Sequence, residues 1–557
     1  MQPRKGFILV VVLIVIVLLA LAVFAFSRFM TAQRQVATIS LRQTQARLLA
    51  ESGVEYLRAT LFHDHWTILE LGGLYDNPDL LCGHIVTDGT VSLSGFAAGA
   101  QALYGNVDPR DVGRFSVIAP ALSDDGMLLG EFIRYGLEDE SSKLNLRWIL
   151  QTDLQQPGYG RMILMRLPGI NEEIADSILD WIDHSTIDGN IPEPREFGAK
   201  DDYYTSLDPP YYTRNAMPDS LDELLLVRGV TPKLLYGIDW NRNGIIDLGE
   251  PGEHTLDEYD VHDGSLNLGL ISYLTLDSRE TMRTPDGLYY KINVNMEDVT
   301  ELQTQLTERF EELEVDASWA EYIISFRQQI AQSTQDANAE SEDAAATPSG
   351  VSNGRINTLL ALVGGQGSPF ADEPEAMNEY GPILYDNLMI SGTPVIGRIN
   401  INQASRTVLE VLAAQEDELS DTAALAGAMT DAAQGTALTQ MDVCDIIDGI
   451  IAYRESAPYL NWMDVPEMNY PFWPYTHGII EDLETMKQLE PYFCTQGAVY
   501  KASVIGRFDE RSPVSRLEVW LDASQGERLP RIIRIRDISD LGPGYSAELL
   551  GADAFVR

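Results

Sequence analysis

The chain opens with an uncharged apolar run from Phe7 to Phe26, which Arg4 and Lys5 precede. A helix rises about 1.5 Å per residue, so about 20 apolar residues cross a hydrocarbon core of ~30 Å. A secretory signal peptide has a shorter apolar region with a small-residue cleavage site behind it, which this run lacks. The pattern therefore predicts a transmembrane helix over residues 7–26.

Over residues 27–62 the apolar positions thin out to the spacing of an amphipathic helix, and no proline occurs from Met30 to Phe62. Positions three and four apart share one helix face. The residues on that face are Ala46, Ala50, Val54, Leu57 and Leu61. We predict that the membrane helix continues without a break into a stem whose apolar face lies on a globular head.

Two distant parts of the chain alternate between apolar and polar residues, which is the pattern of half-buried strands. The early strands are Arg114–Ala119 and Leu128–Leu137, joined by turn-forming residues 123–126. The late strands are 498–508, 514–521 and 531–536, the last with its three arginines, Arg531, Arg534 and Arg536, pointing outward. These strands bracket a long, mostly helical middle.

The middle contains a repeat in which a cation precedes a short apolar strand that ends in asparagine. The three copies are Lys143–Arg147, Lys291–Asn295 and Arg398–Asn402. Asparagine caps helix starts, so each copy opens a helical stretch, and the repetition predicts stacked, related subdomains. Residues 331–354 read as a linker, and residues 415–440 as a second one.

The composition limits which kinds of partner the chain can bind and which class of protein it belongs to. The formal net charge of −45 argues against a nucleic-acid partner, while 45% hydrophobic residues indicate a folded chain. Three cysteines, Cys82, Cys444 and Cys494, do not make a disulfide scaffold. A Cys444–Cys494 bridge and three reduced thiols both stay open.

The sharpest local motif predicts a calcium loop that begins at Asp239. Calcium loops need oxygen ligands at positions one, three, five, seven, nine and twelve, with glycine at position six, which is Gly244 here. The predicted ligands are Asp239, Asn241, Asn243, the Ile245 carbonyl, Asp247 and Glu250. The alternative interpretation is an acidic surface turn.

Residues 167–183 have the pattern of a helix-hairpin-helix, and Ser220–Val230 is a related element. Such hairpins often bind DNA phosphates at a helix start, but Glu172 and Glu173 stand there and would repel phosphate. A packing role is therefore favoured. His63-Asp64-His65 has no third ligand at useful spacing and is interpreted as a solvated helix end.

No convergent catalytic set or nucleotide motif occurs, so we expect no enzyme.

The leader Arg4-Lys5-Gly6-Phe7 resembles the prepilin leader, which a prepilin peptidase would cut between Gly6 and Phe7; an ordinary signal anchor is the alternative. An ordered set of motifs resembles protein K of type II secretion. The set comprises Asp180–Asp183, Gly198–Tyr204, Pro209–Tyr211 with Asn215, Ser220–Val230 and Asn400–Asn402.

The resemblance implies a minor pseudopilin at the tip of the pseudopilus, where it starts assembly in protein secretion. Its partners would be the minor pseudopilins I and J and the major pseudopilin, with no small-molecule substrate. It would lie in the inner membrane as a single-pass protein with its C-terminal domain in the periplasm. Val11 stands at the fifth mature position, where most pseudopilins have a glutamate and this family does not.

Two other functions stay open: a minor pilin of a type IV pilus or competence system, and a membrane-tethered enzyme. The resemblance also implies a second calcium site, for which Asp183, Asp188, Asp201 and Asp202 are the candidates. Lys200 stands where the family has a glutamate, so ordinary loop carboxylates are the alternative.

The expected fold is α+β: a transmembrane and stem helix and a pilin-type antiparallel sheet, interrupted by a large, mostly helical inserted domain with helix-hairpin-helix (SAM-like) repeats. The expected division is leader 1–6, membrane helix 7–26, stem 27–62, first sheet part 63–142, helical subdomain 143–238, insertion with calcium loop 239–330, linker 331–354, helical subdomain 355–490 and second sheet part 491–557.

Overall fold

The computed structural model of the protein describes residues 5–87, 90–91, 112–122, 128–184, 192–237, 239, 242, 269–337, 350–352, 354–413, 440–456, 466–508, 513–525, 529–545 and 550. Within these residues the architecture is α+β, with a long apolar N-terminal helix and an antiparallel sheet, as predicted. The turn at 123–126 and most of the second predicted linker lie outside them.

The N-terminal helix α1 runs without a break from Lys5 to Thr60. Its most apolar 18-residue window has a mean hydropathy of 3.6 and is wholly unburied, and in the described residues it is the one helix that could span a membrane. The predicted stem face is confirmed, because Ala46, Ala50, Val54, Leu57 and Leu61 are all buried.

The sheet has strands of two to nine residues. They are β1 (His84–Thr87), β2 (Thr90–Val91), β3 (Arg114–Leu122), β4 (Leu128–Arg134), β5 (Glu138–Asp139), β14 (Val499–Arg507), β15 (Ser515–Asp522) and β16 (Arg531–Asp537). Its order is β16-β15-β14-β3-β1-β2, while β4 pairs with β3 and β5 with β14, and every pairing is antiparallel. The early and late parts of the chain thus form one sheet.

The stem packs on one face of this sheet. Leu57 and Val54 of the helix share a core with Val504 of β14 and Val519 of β15. Gly506 allows the close approach, since a Cβ there would lie 2.1 Å from the Ala46 carbonyl oxygen. The apolar residues that alternate along the late strands therefore face the stem helix.

Two short helices follow the stem, α2 (His65–Glu70) and α3 (Pro78–Leu81). The remaining helices lie between β5 and β14. They are α4 (Leu146–Gln155), α5 (Tyr159–Met165), α6 (Glu172–Ile182), α7 (Asp201–Tyr204), α8 (Pro232–Tyr236), α9 (Val299–Glu312), α10 (Ser318–Ala337), α11 (Pro374–Asn387), α12 (Arg406–Glu410), α13 (Gln440–Ser456), α14 (Trp473–Thr476) and α15 (Leu483–Leu489). Helix α10 thus continues into the first residues of the predicted linker.

The three sequence repeats each form a two-residue strand that pairs in parallel with a strand about 90 to 130 residues later. The pairs are β6 (Leu144–Asn145) with β7 (Leu274–Thr275), β8 (Ile292–Asn293) with β11 (Leu388–Met389), and β12 (Ile399–Asn400) with β13 (Phe493–Cys494). The strands β9 (Val351–Ser352) and β10 (Arg355–Ile356) form a hairpin. Each ladder joins the beginning and end of one helical unit, and we call these units one, two and three.

The helical units share one apolar core that extends from Leu144 to Phe493 and is separate from the core under the stem. The ladders divide the chain at positions that differ from the predicted domain boundaries at 238, 330 and 354. Those boundaries stay predictions. The SAM-like character of the helices also stays a prediction.

One expectation needs correction. Arg534 and Arg536 do not point to solvent, because Arg536 pairs with Asp222 of unit one and Arg534 with Asp277, which follows unit one. These parts of the chain cover the sheet face opposite the stem. All three cysteines are free, which decides between the two alternatives left open: the structure has no Cys444–Cys494 bridge.

Candidate functional site

The membrane-proximal half of α1 exposes its apolar side chains on every side. Val11, the fifth residue after the predicted cleavage point, is an exposed residue of this segment. Gly6 and Phe7 lie at the start of α1. Farther along, Val36, Ile39 and Leu48 are each more than half exposed. This surface has no partner in the described part of the chain, although the hydrophobic effect strongly favours its burial.

Unit one holds a set of buried carboxylates on one side of α6. Asp176 and Asp180 are fully buried, and Asp183 and Asp153 almost so. Arg161 binds Asp176 in a bidentate pair at 2.6 and 2.8 Å. The positions 176, 180 and 183 lie on one face of the helix, which was a signal in the sequence.

Arg195 is the centre of this network. Its guanidinium lies 2.7 Å from Asp153, 2.8 Å from Asp180 and 3.3 Å from Asp183. Gly198 makes room for the cluster, since a Cβ there would lie 1.9 Å from an Asp180 oxygen. Burial raises the pKa of Asp180, and Arg195 opposes that rise.

The candidates for a second calcium site meet positive charge here. Lys200 lies near Asp180, Asp183 and Asp201; its burial lowers its pKa, which these carboxylates counteract. Asp201 accepts a hydrogen bond of 2.8 Å from the Thr213 backbone.

Asp202 is exposed, and Asp188 lies outside the described residues. In the part of the chain that the structure describes, no group of three His, Cys, Asp or Glu residues is arranged to hold a metal. The second site therefore stays a prediction.

The motifs between residues 180 and 230 that carry the family resemblance come together around α6, whereas Asn400–Asn402 lies in unit three. Trp181 packs against Tyr204 and Tyr211, with ring centroids 5.2 and 6.2 Å away. Its indole nitrogen donates to Glu223, and the Tyr211 hydroxyl donates to the Leu226 carbonyl. Distant sequence motifs thus form one aromatic cluster in unit one.

Helix α6 begins with Asn171, whose side chain accepts from the Ile174 backbone. Glu172 and Glu173 occupy the first turn, as expected, and Glu173 pairs with Arg228. The positive end of the helix dipole is thus compensated by the protein's own carboxylates. This helix start is unsuited to phosphate binding.

The predicted calcium loop is described only at Asp239 and Arg242, whereas Asn241, Asn243, Ile245, Asp247 and Glu250 lie outside the described residues. Asp239 is buried. Arg242 stacks on Tyr236 at 3.9 Å, and its carbonyl accepts a 2.7 Å hydrogen bond from Arg516 of β15. The start of the loop is therefore fastened between unit one and the sheet.

Asp222 strengthens the same contact. Burial acts to raise its pKa, but the Tyr236 hydroxyl and Arg536 outweigh burial and hold the pKa below its ordinary value. Arg536 belongs to the edge strand of the sheet, and the pair distance is 2.6 Å. Unit one and the sheet are thus joined by charged groups on both sides of the loop start.

The asparagine repeat carries a structural role beyond the helix capping that the sequence predicted. Asn400 donates a 2.7 Å hydrogen bond to Asp139, which is buried and also accepts from the Gly497 backbone at 2.7 Å. Lys143 pairs with Glu138 and Glu140 at 2.9 and 3.0 Å. The cation and asparagine of the repeats therefore help fix the bases of the helical units to the sheet.

The His63-Asp64-His65 motif lies at the end of the stem. Asp64 caps α2 by accepting from the Thr67 backbone at 2.9 Å, and sequence reasoning had not found this cap. Burial, with a smaller effect of Lys291, lowers the pKa of His65 to about 4, so its ring is neutral.

Comparison with known proteins shows which family unit one resembles. The protein-family model described as type II secretion system (T2SS), protein K, matches residues 142–238. Type II secretion system protein K of Aeromonas hydrophila is 42% identical over 62 residues, which cover 11% of this chain and 17% of the relative. Over residues 142–238 the chain is therefore similar to protein K of type II secretion.

The family match covers most of the described helices of unit one, with the aromatic cluster, Arg195 and its carboxylates. The stem, the sheet and units two and three lie outside the matched range. The chain spans 17% of the length of the relative in that alignment, so the relative's role reaches this protein only by inference.

Proposed function

We propose that this protein is a minor pseudopilin that sits at the tip of a type II secretion pseudopilus and starts its assembly, without enzymatic activity. One observation supports this most: a single continuous helix is free and apolar in its first half and packs on an antiparallel sheet in its second. The protein K match of unit one adds to it.

The free half of α1 suits two successive environments. In the inner membrane it spans the bilayer as a single-pass anchor, with the head in the periplasm. After prepilin peptidase has cut between Gly6 and Phe7, the same surface packs against the helices of the minor pseudopilins I and J and of the major pseudopilin. Helix packing then buries the side chains that are exposed in the single chain.

Two features support the proposed tip position. Val11 carries no charge, so the helix has no carboxylate that would need the N-terminal amine of a subunit above it. The segment between units one and two contacts the end of the stem remote from the free half of α1, where the His65 backbone donates to the Pro285 carbonyl at 2.9 Å. A bulky body there would block further stacking.

Calcium is proposed as a brace of this head, held by Asp239, Asn241, Asn243, the Ile245 carbonyl, Asp247 and Glu250. The support is the ligand spacing in sequence together with the fastening of the loop start to Arg516. Bound calcium would then stabilise the contact between unit one and the sheet.

The test is co-purification of the full-length protein with the minor pseudopilins I and J in detergent. The double variant Val36→Asp/Ile39→Asp places two charges on an exposed apolar strip of the stem. Burying two such side chains contributes about 1.5–3 kcal/mol each, so we expect recovery to fall by roughly tenfold or more.

The matched control is Gln35→Asp/Thr38→Asp, which adds the same charges at exposed polar positions one residue earlier. We expect it to co-purify like the unchanged protein. Failure of the unchanged protein to retain either partner would contradict the proposed role.

A further inference from the structure

A large cavity lies where the end of the stem, the sheet and the helical units meet. Its volume is about 530 Å³, within the range of cavities that hold organic ligands. The lining comes from residues 61–68 at the end of the stem, residues 280–291 before unit two, residues 469–471 and the chain from Cys494 to Tyr500. Tyr385, Asp386 and Arg398 also line it. Nothing in the proposed pseudopilin role accounts for it.

The lining is aromatic in one part and charged in another. Phe62 and Trp66 contribute rings that are 51% and 42% exposed, an unusual exposure for such large apolar groups. Thr281, Asn469 and Gln496 supply neutral polar groups. Together these residues offer apolar contact and hydrogen bonds to one elongated ligand.

Lys291 is one of three cationic side chains that line the cavity, with Arg283 and Arg398. Its Nζ donates a 2.7 Å hydrogen bond to the Tyr385 carbonyl, and none of the described carboxylates forms an ion pair with it. Burial lowers its pKa, and Asp386 and Glu280 counteract this only from a distance. The neighbouring His65 ring is neutral, because burial and Lys291 lower its pKa to about 4, so it adds no second positive charge beside the ammonium.

Most carboxylates around the cavity already have partners. Asp64 accepts from the Thr67 backbone and hydroxyl, and Asp286 from the Leu288 backbone and the Thr284 hydroxyl. Glu280 pairs with Arg398 at 3.3 Å, and Arg398 also faces Glu490 at 3.8 Å.

Asp386 accepts from the Tyr470 hydroxyl at 3.2 Å, and burial raises its pKa to about 6 although Lys291 lowers it. Arg283 also lines the cavity, donating to the Gly287 carbonyl and stacking on Tyr290. The tyrosines Tyr385 and Tyr500 and the thiol of Cys494 face the cavity in neutral form, since burial raises each pKa. His63 lies at the rim.

From this arrangement we propose that the cavity binds the free C-terminal carboxylate of a peptide, with the carboxylate on Lys291 and the last side chains against Phe62 and Trp66. Lys291 is the ammonium of this lining and forms an ion pair with none of the described carboxylates, which suits a monoanion. A phosphate would bring a second negative charge next to Glu280 and Asp386, where nothing pairs with it. A peptide also uses the neutral polar groups, which a bare anion would leave unused.

The experiment uses the full-length protein in detergent micelles and an acetylated alanine–alanine–phenylalanine tripeptide, as the free acid and as its C-terminal amide. Binding is measured by isothermal titration calorimetry. We expect the acid to bind about tenfold or more tightly than the amide, because only the acid forms a charge-assisted hydrogen bond with Lys291.

Lys291→Met should reduce the preference for the acid to within about twofold, whereas Lys291→Arg should keep most of it. Lys233→Met, at an exposed lysine of unit one, is the matched control and should change nothing. Trp66→Ala should weaken acid and amide alike.

Equal binding of acid and amide, an unchanged preference in Lys291→Met, or no binding of either up to about 10 mM would overturn the proposal. If 3-phenylpropionate binds as tightly as the tripeptide, the ligand is a small carboxylate and the peptide assignment is wrong.

Discussion

Arg195 offers the sharpest test of the family-specific helical unit. Replacing it by methionine keeps an apolar stem of similar length and removes the charge that meets Asp153, Asp180 and Asp183 at 2.7, 2.8 and 3.3 Å. All three carboxylates are at most 4% exposed, so water cannot take over. Removing one partner of such a buried pair costs about 3–5 kcal/mol.

The assay is urea unfolding at pH 8, followed through tryptophan fluorescence, since Trp181 lies beside the cluster. The control is Arg47→Met, which removes an arginine that is 58% exposed and pairs with Glu51 one turn along α1. Surface pairs of this kind contribute roughly 0–1 kcal/mol. The difference between the two variants therefore measures burial of the ion pairs and not loss of charge as such.

The pH dependence of stability provides a second check on the Arg195→Met variant. Burial already raises the pKa of Asp180, and removal of Arg195 takes away the interaction that opposes this rise. A folded-state pKa above the unfolded value of about 3.9 means that the penalty is present at high pH and is relieved as the pH falls towards the folded-state pKa. We expect the loss of stability to shrink between pH 8 and pH 5. A loss below about 1 kcal/mol at pH 8, or one that does not change with pH, would refute this reasoning.

Three further predictions concern other parts of the head. Glu250→Gln should weaken calcium binding by about tenfold or more in a calorimetric titration, and chelator should lower the melting temperature of the unchanged protein but not of this variant; equal affinities would count against the loop. Asn400→Ala should lower the free energy of unfolding by about 1–3 kcal/mol, because buried Asp139 loses a hydrogen bond. An Asn400→Ala variant as stable as the unchanged protein would contradict this prediction, whereas an equally destabilised Asn400→Gln variant would agree with it. Leu57→Ala should cost about 2–5 kcal/mol, whereas the exposed Leu48→Ala should cost little, and equal effects in urea unfolding would mean that the stem does not pack as described.

The sequence predicted the elements whose pattern repeats over many residues. The stem face at Ala46 to Leu61 follows a helical period, and strands β14 to β16 follow a period of two, so their ends were predicted within a residue or two. The prediction that Arg534 points to solvent was wrong. Alternation in the sequence separates the two faces of the sheet, but it does not reveal that the face carrying Arg534 is covered by the middle part of the chain.

The ladders and the charge network could not be predicted in the same way. A two-residue strand such as β6 has no period, and its partner β7 lies about 130 residues away. The spacing of Asp176, Asp180 and Asp183 is compatible with one helix face, a signal that the sequence analysis did not use. It carries no information that Arg195, from beyond the end of the helix, pairs with Asp180 and Asp183. Contacts between distant residues depend on the tertiary fold.

The two-residue ladders have a consequence for how such a chain can change in length. Because β8 and β11 run side by side, the residues that enter and leave unit two are neighbours, although almost a hundred positions separate them. Adjacent strands lie about 4.8 Å apart, so deleting everything between them would leave a gap that one peptide link nearly closes. Whole helical blocks can therefore be gained or lost at these points while the flanking scaffold keeps its geometry.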